Sequence, residues 1–230
     1  MIIVALLLAA VGVADLVRRP AGGRLRTVEL PFLAAVAVYA IGGAMLGLDR
    51  AGSWTLIPAM AIVMGWLVAQ PRQQMRGPLA LAAGLIVALL FGQQVPRGEA
   101  PIGTWYADLE IPALDTVDLD TAVLGLAVVL FLLQSANVVV RAVLRRAGPA
   151  VLAEERDLQG GRILGPIERV FIFAMALAGQ YAAVAAVMAA KGVLRFPEIS
   201  RDREDGTRAE YVLVGSFVSW ALAFAAVPLL

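Results

Sequence analysis

The chain has 230 residues, of which 60% are apolar and only 16% charged, and its net charge is +1. A soluble domain is nearer half apolar and a quarter charged, so this composition predicts a protein covered largely by lipid. The chain contains no histidine and no cysteine. This excludes Ser-His-Asp and Cys-His nucleophiles, zinc fingers and disulfide frameworks. We expect no cofactor, no metal and, without a strongly basic surface, no nucleic-acid partner.

Seven apolar runs approach the roughly 20 residues that a helix needs to cross a hydrocarbon core about 30 Å thick. Because the runs are apolar on both faces, they predict helices rather than strands. The expected fold is all-α, a polytopic helical membrane bundle of about seven transmembrane helices. The runs are Ile2–Val17, Leu30–Leu48, Ser53–Ala69, Leu79–Phe91, Thr121–Val140, Pro166–Ala190 and Tyr211–Leu230.

The arginines indicate an N-terminus outside the membrane. Clusters such as Arg18-Arg19 and Arg145-Arg146 follow the first, third and fifth runs, whereas only Arg50 and Arg97 lie on the other side before the sixth run. Cationic loops stay in the cytoplasm. All but one of the 19 cationic residues are arginines, which is typical of a GC-rich bacterial genome, so we expect a multi-pass protein of the bacterial inner membrane. The charges after the first run also favour a retained anchor over a cleaved signal peptide.

The loop after the sixth run breaks this pattern. It would place Lys191, Arg195, Arg201, Arg203 and Arg208 outside if Pro166–Ala190 crosses the membrane. The alternative is a segment that enters and returns, bending near Gly179-Gln180. Because Ala182–Ala190 is a strong helix former without a turn residue, we favour the crossing. The expected organisation is a single membrane domain over 1–230, with a five-helix part (1–146), a cytoplasmic connector (147–165) and a C-terminal helix pair (166–230).

Two segments carry candidate binding residues. In the fifth run, Gln134, Asn137 and Arg141 recur at helical spacing and share a face with Arg145. This face lines a polar pathway or a headgroup slot, or it supplies interhelical hydrogen bonds with the arginines reaching toward phosphates; we favour the second interpretation. The Gly160–Arg169 segment places Pro166 in the first turn of a helix. The candidate ligands for an anionic headgroup are Gln134, Asn137, Arg141, Arg162, Glu168 and Arg169.

Three other features are weaker candidates. Asp15 lies in the first run, where a salt bridge to Arg19 is the simplest explanation. Gln180 lies at mid-depth of the sixth run and needs hydrogen-bond partners there. Small residues at every fourth position of that run predict a packing seam, within the chain, with a protein partner or in a homo-oligomer. The seam consists of Ala174, Ala178, Ala182, Ala186 and Ala190. Asp115, Asp118 and Asp120 lack a calcium-loop pattern and fit a solvated outer loop.

From Gly161 onward the chain resembles a family of bacterial polytopic membrane proteins without an assigned activity. The matching pieces are Gly161-Arg162, Gly165, Glu168-Arg169, Gly179-Gln180, Ala189-Ala190-Lys191, Leu194-Arg195-Phe196, Glu210-Tyr211 and Gly215-Ser216. Family members usually have Lys-Ser at Lys191-Gly192 and Gly-Thr at Gly215-Ser216. The resemblance implies a membrane location and marks five further polar positions, which are Gln180, Lys191, Arg195, Glu210 and Tyr211.

Three functions fit these features. We favour transport or handling of an anionic solute or lipid headgroup at the inner leaflet, with anionic lipids as partners. The second is a non-catalytic membrane subunit or scaffold that assembles through the alanine seam. The third is an intramembrane enzyme acting on a phosphorylated lipid, with Glu168, Glu198 or Glu210 as acid or base. Seven crossings would put Glu168 on the opposite side from the other two, so an enzyme is the less favoured class.

Overall fold

A computed structural model describes residues 1–18, 25–112, 114–148, 161–200 and 207–230, without the side chains of 25–26, 161–163, 197–200 and 207–208. Most of these residues are helical, and their one extended pairing is a bridge between Leu48 and Arg97. The α-helices are α1 (Ile2–Val17), α2 (Leu30–Met45), α3 (Leu56–Ala69), α4 (Arg76–Phe91), α5 (Gly103–Ala107), α6 (Leu119–Leu130), α7 (Ala136–Ala147), α8 (Gly161–Leu177), α9 (Tyr181–Ser200) and α10 (Thr207–Ala226). The prediction of an all-α fold is confirmed.

Five helical segments are long and apolar enough to cross a membrane. Helix α1 is shorter but equally apolar. The segments are Thr27–Met45, Ser53–Arg72, Arg76–Gln94, Leu119–Ala147 and Ala209–Leu229. Predicted runs two to five and seven therefore correspond to helices of spanning length.

The chain forms two compact units, Met1–Ser135 with Leu230, and Ala136–Leu229. Their boundary follows a π-helical segment, Phe131–Ser135, that joins α6 to α7. The first unit is built around α1, whose residues from Val4 to Leu8 are at most 3% exposed. A helix that is apolar on all sides is buried by its neighbours, and α1 packs against α2, α6 and the π-helical segment.

The helices of the first unit alternate in direction as the apolar runs predict. At one end, Gly92 lies against Ile3 at the start of α1, and the Gly98 N–H donates to the Gly47 carbonyl at 2.8 Å. Trp66, near the end of α3, contacts the last turn of α1 at the opposite end. Gly12 permits the close approach of α1 to α6, since a Cβ there would lie 3.1 Å from the Cβ of Leu130.

The second unit contains a helical hairpin where the sequence predicted one crossing. The run Pro166–Ala190 is divided between α8 and α9, and Gly179 between them has a left-handed φ of 71°. The Gln180 N–H donates to the Met175 carbonyl at 2.8 Å and the Gly179 N–H to the Ala176 carbonyl at 3.0 Å, which is the Schellman arrangement that ends a helix. The predicted single span over Pro166–Ala190 is therefore wrong.

An ion pair shows that α9 returns alongside α8. Lys191 and Glu168 are 23 residues apart in sequence, yet their charged atoms are 2.5 Å apart. Two collinear helices would separate these residues by about 35 Å at 1.5 Å per residue. The chain therefore reverses at Gly179, close to where the rejected alternative placed the bend.

Helices α7 and α10 of the second unit run in opposite directions. A Cβ on Gly215 would lie 3.8 Å from Leu144, whereas Asn137 and Ser219 bind the same guanidinium. Earlier residues of α7 thus lie beside later residues of α10, so the two helices are antiparallel. If the chain between α7 and α10 crossed a membrane once, the two helices would be parallel. The antiparallel arrangement is compatible only with no crossing or an even number of crossings by that part of the chain.

Candidate functional site

Among the described residues of the second unit, the most buried charged side chain is that of Arg169, on α8, which is 2% exposed. Its Nη2 donates to Oδ1 of Asn137 on α7 at 2.9 Å, and its Nη1 donates to Oγ of Ser219 on α10 at 3.2 Å. These two contacts orient the guanidinium through neutral oxygens from two other helices. Three helices are needed to build this arrangement.

The neighbouring residue Glu168 is bound by two donors. Lys191 Nζ lies 2.5 Å from its Oε2, and the Trp220 indole N–H donates to its Oε1 at 2.8 Å. The lysine also lies 5.4 Å from the centre of the Trp220 ring, within the range of a cation–π interaction. Phe217 packs edge-on against the same ring, with the centroids 5.7 Å apart. The aromatic pair therefore shields the ion pair from one side.

We call these six residues the Arg169 cluster: Asn137, Glu168, Arg169, Lys191, Ser219 and Trp220. Ser219 lies at the middle of the apolar segment Ala209–Leu229, so the cluster meets that segment far from both of its ends. Ionisable groups at such a position are expensive and mark binding sites or ion pathways. A guanidinium fork and an ammonium group supply the donors that suit a phosphate or carboxylate.

A row of arginines on α7 extends from this cluster. Arg141 follows Asn137 by four residues and is half-buried, and Arg145 follows by four more and is exposed. Because residues four apart share one helix face, the row runs from the buried guanidinium to the exposed end of the helix. Such a row gives this face of α7 a positive charge.

The structure brings together Asn137, Glu168 and Arg169 among the six predicted ligands. Arg141 lies one turn from Asn137 on α7, and the side chain of Arg162 is outside the described residues. The shared face predicted for Gln134 and Asn137 stays a prediction. Gln134 is exposed and lies in the π-helical segment, whose wider turn departs from regular α-helical spacing.

The five other polar positions, which the family resemblance singled out, are dispersed in the structure. Lys191 joins the cluster, whereas Gln180 is exposed in the turn between α8 and α9, so its predicted burial at mid-depth is wrong. Arg195 lies on α9 and is half-buried. Glu210 is exposed in the first turn of α10, with the half-buried Tyr211 beside it.

The acid and base residues of the enzyme hypothesis are not assembled. Glu168 is bound by Lys191 and Trp220, and Glu210 lies ten positions before Trp220 on α10, about 15 Å along the helix axis. The side chain of Glu198 is outside the described residues. The alanine seam is also interrupted, since the turn at Gly179 leaves Ala174 on α8 and places Ala182, Ala186 and Ala190 on α9, all exposed.

Sequence reasoning missed Ser219 and Trp220. Ser219 is a polar residue near the centre of the last apolar run, which was a usable signal because a hydroxyl at that position seeks an interhelical partner. Pro166 was placed in the first turn of its helix, whereas α8 begins at Gly161 and contains this proline in its interior.

The first unit contains a separate polar cluster around Asp15. The Trp66 indole N–H donates to its Oδ2 at 3.1 Å, and the Gln70 amide donates to its Oδ1 at 2.5 Å. Ser135 of the π-helical segment lies beside the same carboxylate. The salt bridge predicted to Arg19 involves a residue outside the described ranges; Arg18 is the nearby cation that the structure describes.

The acidic loop before α6 has structural roles. Asp118 caps α6 by accepting the Thr121 N–H at 3.0 Å, and this hydrogen bonding by Thr121 lowers the pKa of its carboxyl. Arg97 binds Asp120 at 2.7 Å. Nowhere in the described ranges do three or more acidic side chains come together in a group suited to a metal ion.

Comparisons with known proteins give no relative for this chain: no family model, curated protein or solved structure matches it. The resemblance over the C-terminal part therefore stays a prediction. The functional argument depends on the geometry of the Arg169 cluster.

Proposed function

We propose that the chain is a multi-pass protein of the bacterial inner membrane that binds an anionic group, a lipid headgroup or a free anionic solute, at Arg169. The observation that carries this proposal is a buried guanidinium oriented by an amide and a hydroxyl from two other helices. Hydrogen bonds between two charged groups are roughly twice as strong as those between neutral ones, so an arriving phosphate competes effectively with Asn137 and Ser219.

The arginine row on α7 provides a route by which the anion reaches Arg169. Arg145 is exposed, Arg141 is half-buried and Arg169 is buried, so the anion exchanges one cation for the next as it leaves water. Cytoplasmic loops are enriched in arginine, and the inner leaflet carries anionic lipids. We therefore assign the Arg145 end of the row to the cytoplasmic surface.

Membrane topology is part of the same proposal. With α1 starting outside, the hairpin of α8 and α9 adds two crossings where the sequence suggested one, giving eight in total. Helices α8 and α9 contain 17 and 20 residues, about 26 and 30 Å long, which approaches the thickness of the hydrocarbon core. The exposed turn at Gly179 would then face outside, and the cationic end of α9 would return to the cytoplasm, which removes the exception to the positive-inside rule.

Cysteine labelling tests this topology directly, because the chain contains no cysteine. A single cysteine at Gln180 should react with a membrane-impermeant maleimide from the same side as one at Glu99. A cysteine at Gln73 should react only from the opposite side. If Gln180→Cys reacts from the Gln73 side, or stays unreactive while Glu99→Cys reacts, the eight-crossing topology is wrong.

Native mass spectrometry tests the anion site. The wild-type protein released from phosphatidylglycerol-containing membranes should retain bound lipid, and R169Q should lose most of it. R169K keeps the charge without the fork and should retain an intermediate amount. R146Q is the matched control, since it removes the same charge from α7 outside the Asn137–Arg141–Arg145 face. Equal lipid retention in R169Q and R146Q would contradict the proposal.

Titration with inorganic phosphate distinguishes the two sources of the anion. Phosphate that displaces lipid from the wild-type protein in proportion to its concentration indicates a site for a free solute. Lipid that stays bound at high phosphate indicates headgroup binding through both the anion and the acyl chains. Both outcomes agree with anion binding at Arg169, and they separate transport of a solute from handling of a lipid.

Assembly with a protein partner is a second candidate, supported by the exposure of Ala182, Ala186 and Ala190 on one face of α9. Small residues let a neighbouring helix approach closely. Crosslinking from A182C should then give a defined adduct, a homodimer or a heteromer, that A182C/A186L does not give. A monodisperse monomer without adduct would count against assembly through this face.

A further inference from the structure

The residues 95–112, which connect α4 toward α6, lie across one end of the first unit, and we call them the end segment. The N–H of Ile102 in this segment donates to the carbonyl of Met45 at 3.2 Å. Met45 is the last residue of Thr27–Met45, which is long and apolar enough to span a membrane. Ile102 therefore lies level with the end of that apolar segment.

Contacts to two further apolar segments keep the end segment at the same level. A Cβ on Gly52 would lie 2.6 Å from the carbonyl oxygen of Pro96, and the apolar segment Ser53–Arg72 begins directly after Gly52. Arg97 binds Asp120, in the first turn of α6, at 2.7 Å. Because it is attached to the ends of three apolar segments, the end segment runs along the helix ends.

Two tryptophans are exposed at this level. Trp105 lies in α5, three residues after Ile102, which is about 4.5 Å along a helix, and it is 58% exposed. Trp54 belongs to the first turn of Ser53–Arg72 and is 59% exposed. An indole combines an apolar ring with a polar N–H, and tryptophans are enriched where hydrocarbon meets headgroups. Both rings thus lie where apolar segments end, as expected at a lipid boundary.

The charges of the end segment distinguish between kinds of lipid. Its one cation, Arg97, binds a carboxylate of α6, whereas Glu99, Asp108 and Glu110 are exposed. The surface around Trp105 is therefore negative. Anionic headgroups attract cationic side chains to a membrane, and the same field repels carboxylates. Headgroups without net charge fit this surface best.

We propose that the end segment is a lipid-binding surface that places Trp105 among the headgroups of one leaflet and favours lipids without net charge. Tyr106 supports this role, since its hydroxyl donates to the Val117 carbonyl at 2.9 Å and fixes the helical turn that carries Trp105. The proposal rests on the membrane location in the proposed function and is independent of Arg169. The chain thus has a surface for net-neutral lipids in addition to the site for an anion.

Quenching of tryptophan emission by brominated lipids tests the location. The full chain is reconstituted in phosphatidylcholine vesicles with bromine near the headgroup or near the end of the acyl chain. W105F and W54F should each lose an emission component that shallow bromine quenches more strongly than deep bromine and that aqueous iodide quenches weakly. W66F is the matched control, because Trp66 is 0% exposed and its component should resist bromine and iodide. Circular dichroism checks that each variant folds.

A mixture of two lipids tests the headgroup preference. Shallow bromine is placed on either phosphatidylcholine or phosphatidylglycerol in an equal mixture of the two. The Trp105 component should be quenched more when phosphatidylcholine carries the bromine. D108N/E110Q removes two exposed charges and should bring the two values together, whereas D115N removes an exposed carboxyl outside the end segment and should keep the difference.

Two results would overturn the proposal. A Trp105 component that iodide quenches and bromine does not would show that the end segment faces water, and equal quenching from the two lipids would contradict the headgroup preference. If bromine also fails to quench Trp54, the membrane location itself is wrong. R169Q should change none of these values, so failure of the end segment, of the anion site and of the membrane location are distinguishable.

Discussion

The two units of the molecule are each stabilised internally by a different kind of interaction. In the first, α1 is apolar along nearly its whole length and is enclosed by its neighbours, with one carboxylate cluster near its end. In the second, a buried guanidinium and an ion pair lie between helices that are otherwise widely exposed, such as α9 with Leu194 at 77% exposure. Because lipid is as apolar as leucine, apolar contact alone gives little specificity in a membrane. Polar contacts therefore determine how the helices of the second unit pack, whereas close apolar packing determines the arrangement in the first.

The largest effect is expected from breaking the ion pair of the second unit. E168Q leaves the ammonium group of Lys191 without its carboxylate at a site where the two side chains are 20% and 10% exposed. Removing one partner of a buried pair costs about 3–5 kcal/mol, so the free energy of unfolding in detergent should fall by roughly 3 kcal/mol. The control is E99Q, an exposed carboxyl in the loop after α4.

The charge-swapped double variant E168K/K191E sharpens this test. It restores opposite charges at the same positions but removes the acceptor of the Trp220 indole, so we expect partial recovery. An unchanged free energy of unfolding in E168Q would mean that apolar packing stabilises the second unit as it does the first. It would contradict the difference between the two units.

A smaller effect is expected from disturbing the shape of the first unit. In G12V the added side chain must enter space bounded by Leu130 Cβ at 3.1 Å and the Leu130 carbonyl carbon at 3.3 Å. Overpacking typically costs about 1–3 kcal/mol, and the same unfolding titration measures it. G65V is the matched control because nothing lies within 4 Å of a Cβ at that position. Equal stability of the two variants would show that α1 is not closely packed.

The smallest effect is expected at the capped end of α6. D118A removes the acceptor of the Thr121 N–H and should lower the free energy of unfolding by about 1 kcal/mol. Because the folded-state pKa of Asp118 is lowered, this contribution is present above the ordinary pKa of aspartate and is lost as the pH falls through the folded-state value. The difference between D118A and D115A should therefore disappear in acid. A difference that persists there would contradict a role for the ionised carboxyl.

Much of the first unit could be predicted from sequence because each helix is a single apolar run bounded by charges or turns. The second unit could not, because its turn depends on Gly179, which has no proline near it and only one strongly polar neighbour, Gln180. The run around it is rich in alanine, and helix propensity alone extends the helix through it. The reversal becomes evident only in three dimensions, from the left-handed Gly179 and the contact between Lys191 and Glu168.

The candidate site was predictable in part for a similar reason. Asn137, Glu168 and Arg169 stand out because polar residues are rare in the apolar runs. Their partners Ser219 and Trp220 lie about 50 residues further along, and nothing in local spacing links them. Gln134 lies in a π-helical segment, where periodicity rules do not apply because they assume a regular α-helix.

The two indole donors allow the two carboxylates to be followed by tryptophan fluorescence. Trp66 binds the carboxylate of Asp15 in one unit, and Trp220 binds that of Glu168 in the other. Indole emission responds to a charged group that accepts a hydrogen bond from its N–H, so each cluster contains its own fluorophore. The chain contains two further tryptophans, Trp54 and Trp105. Variants that keep only Trp66 or only Trp220 therefore isolate the signal of one cluster, and events at the two carboxylates can be timed separately without an added label.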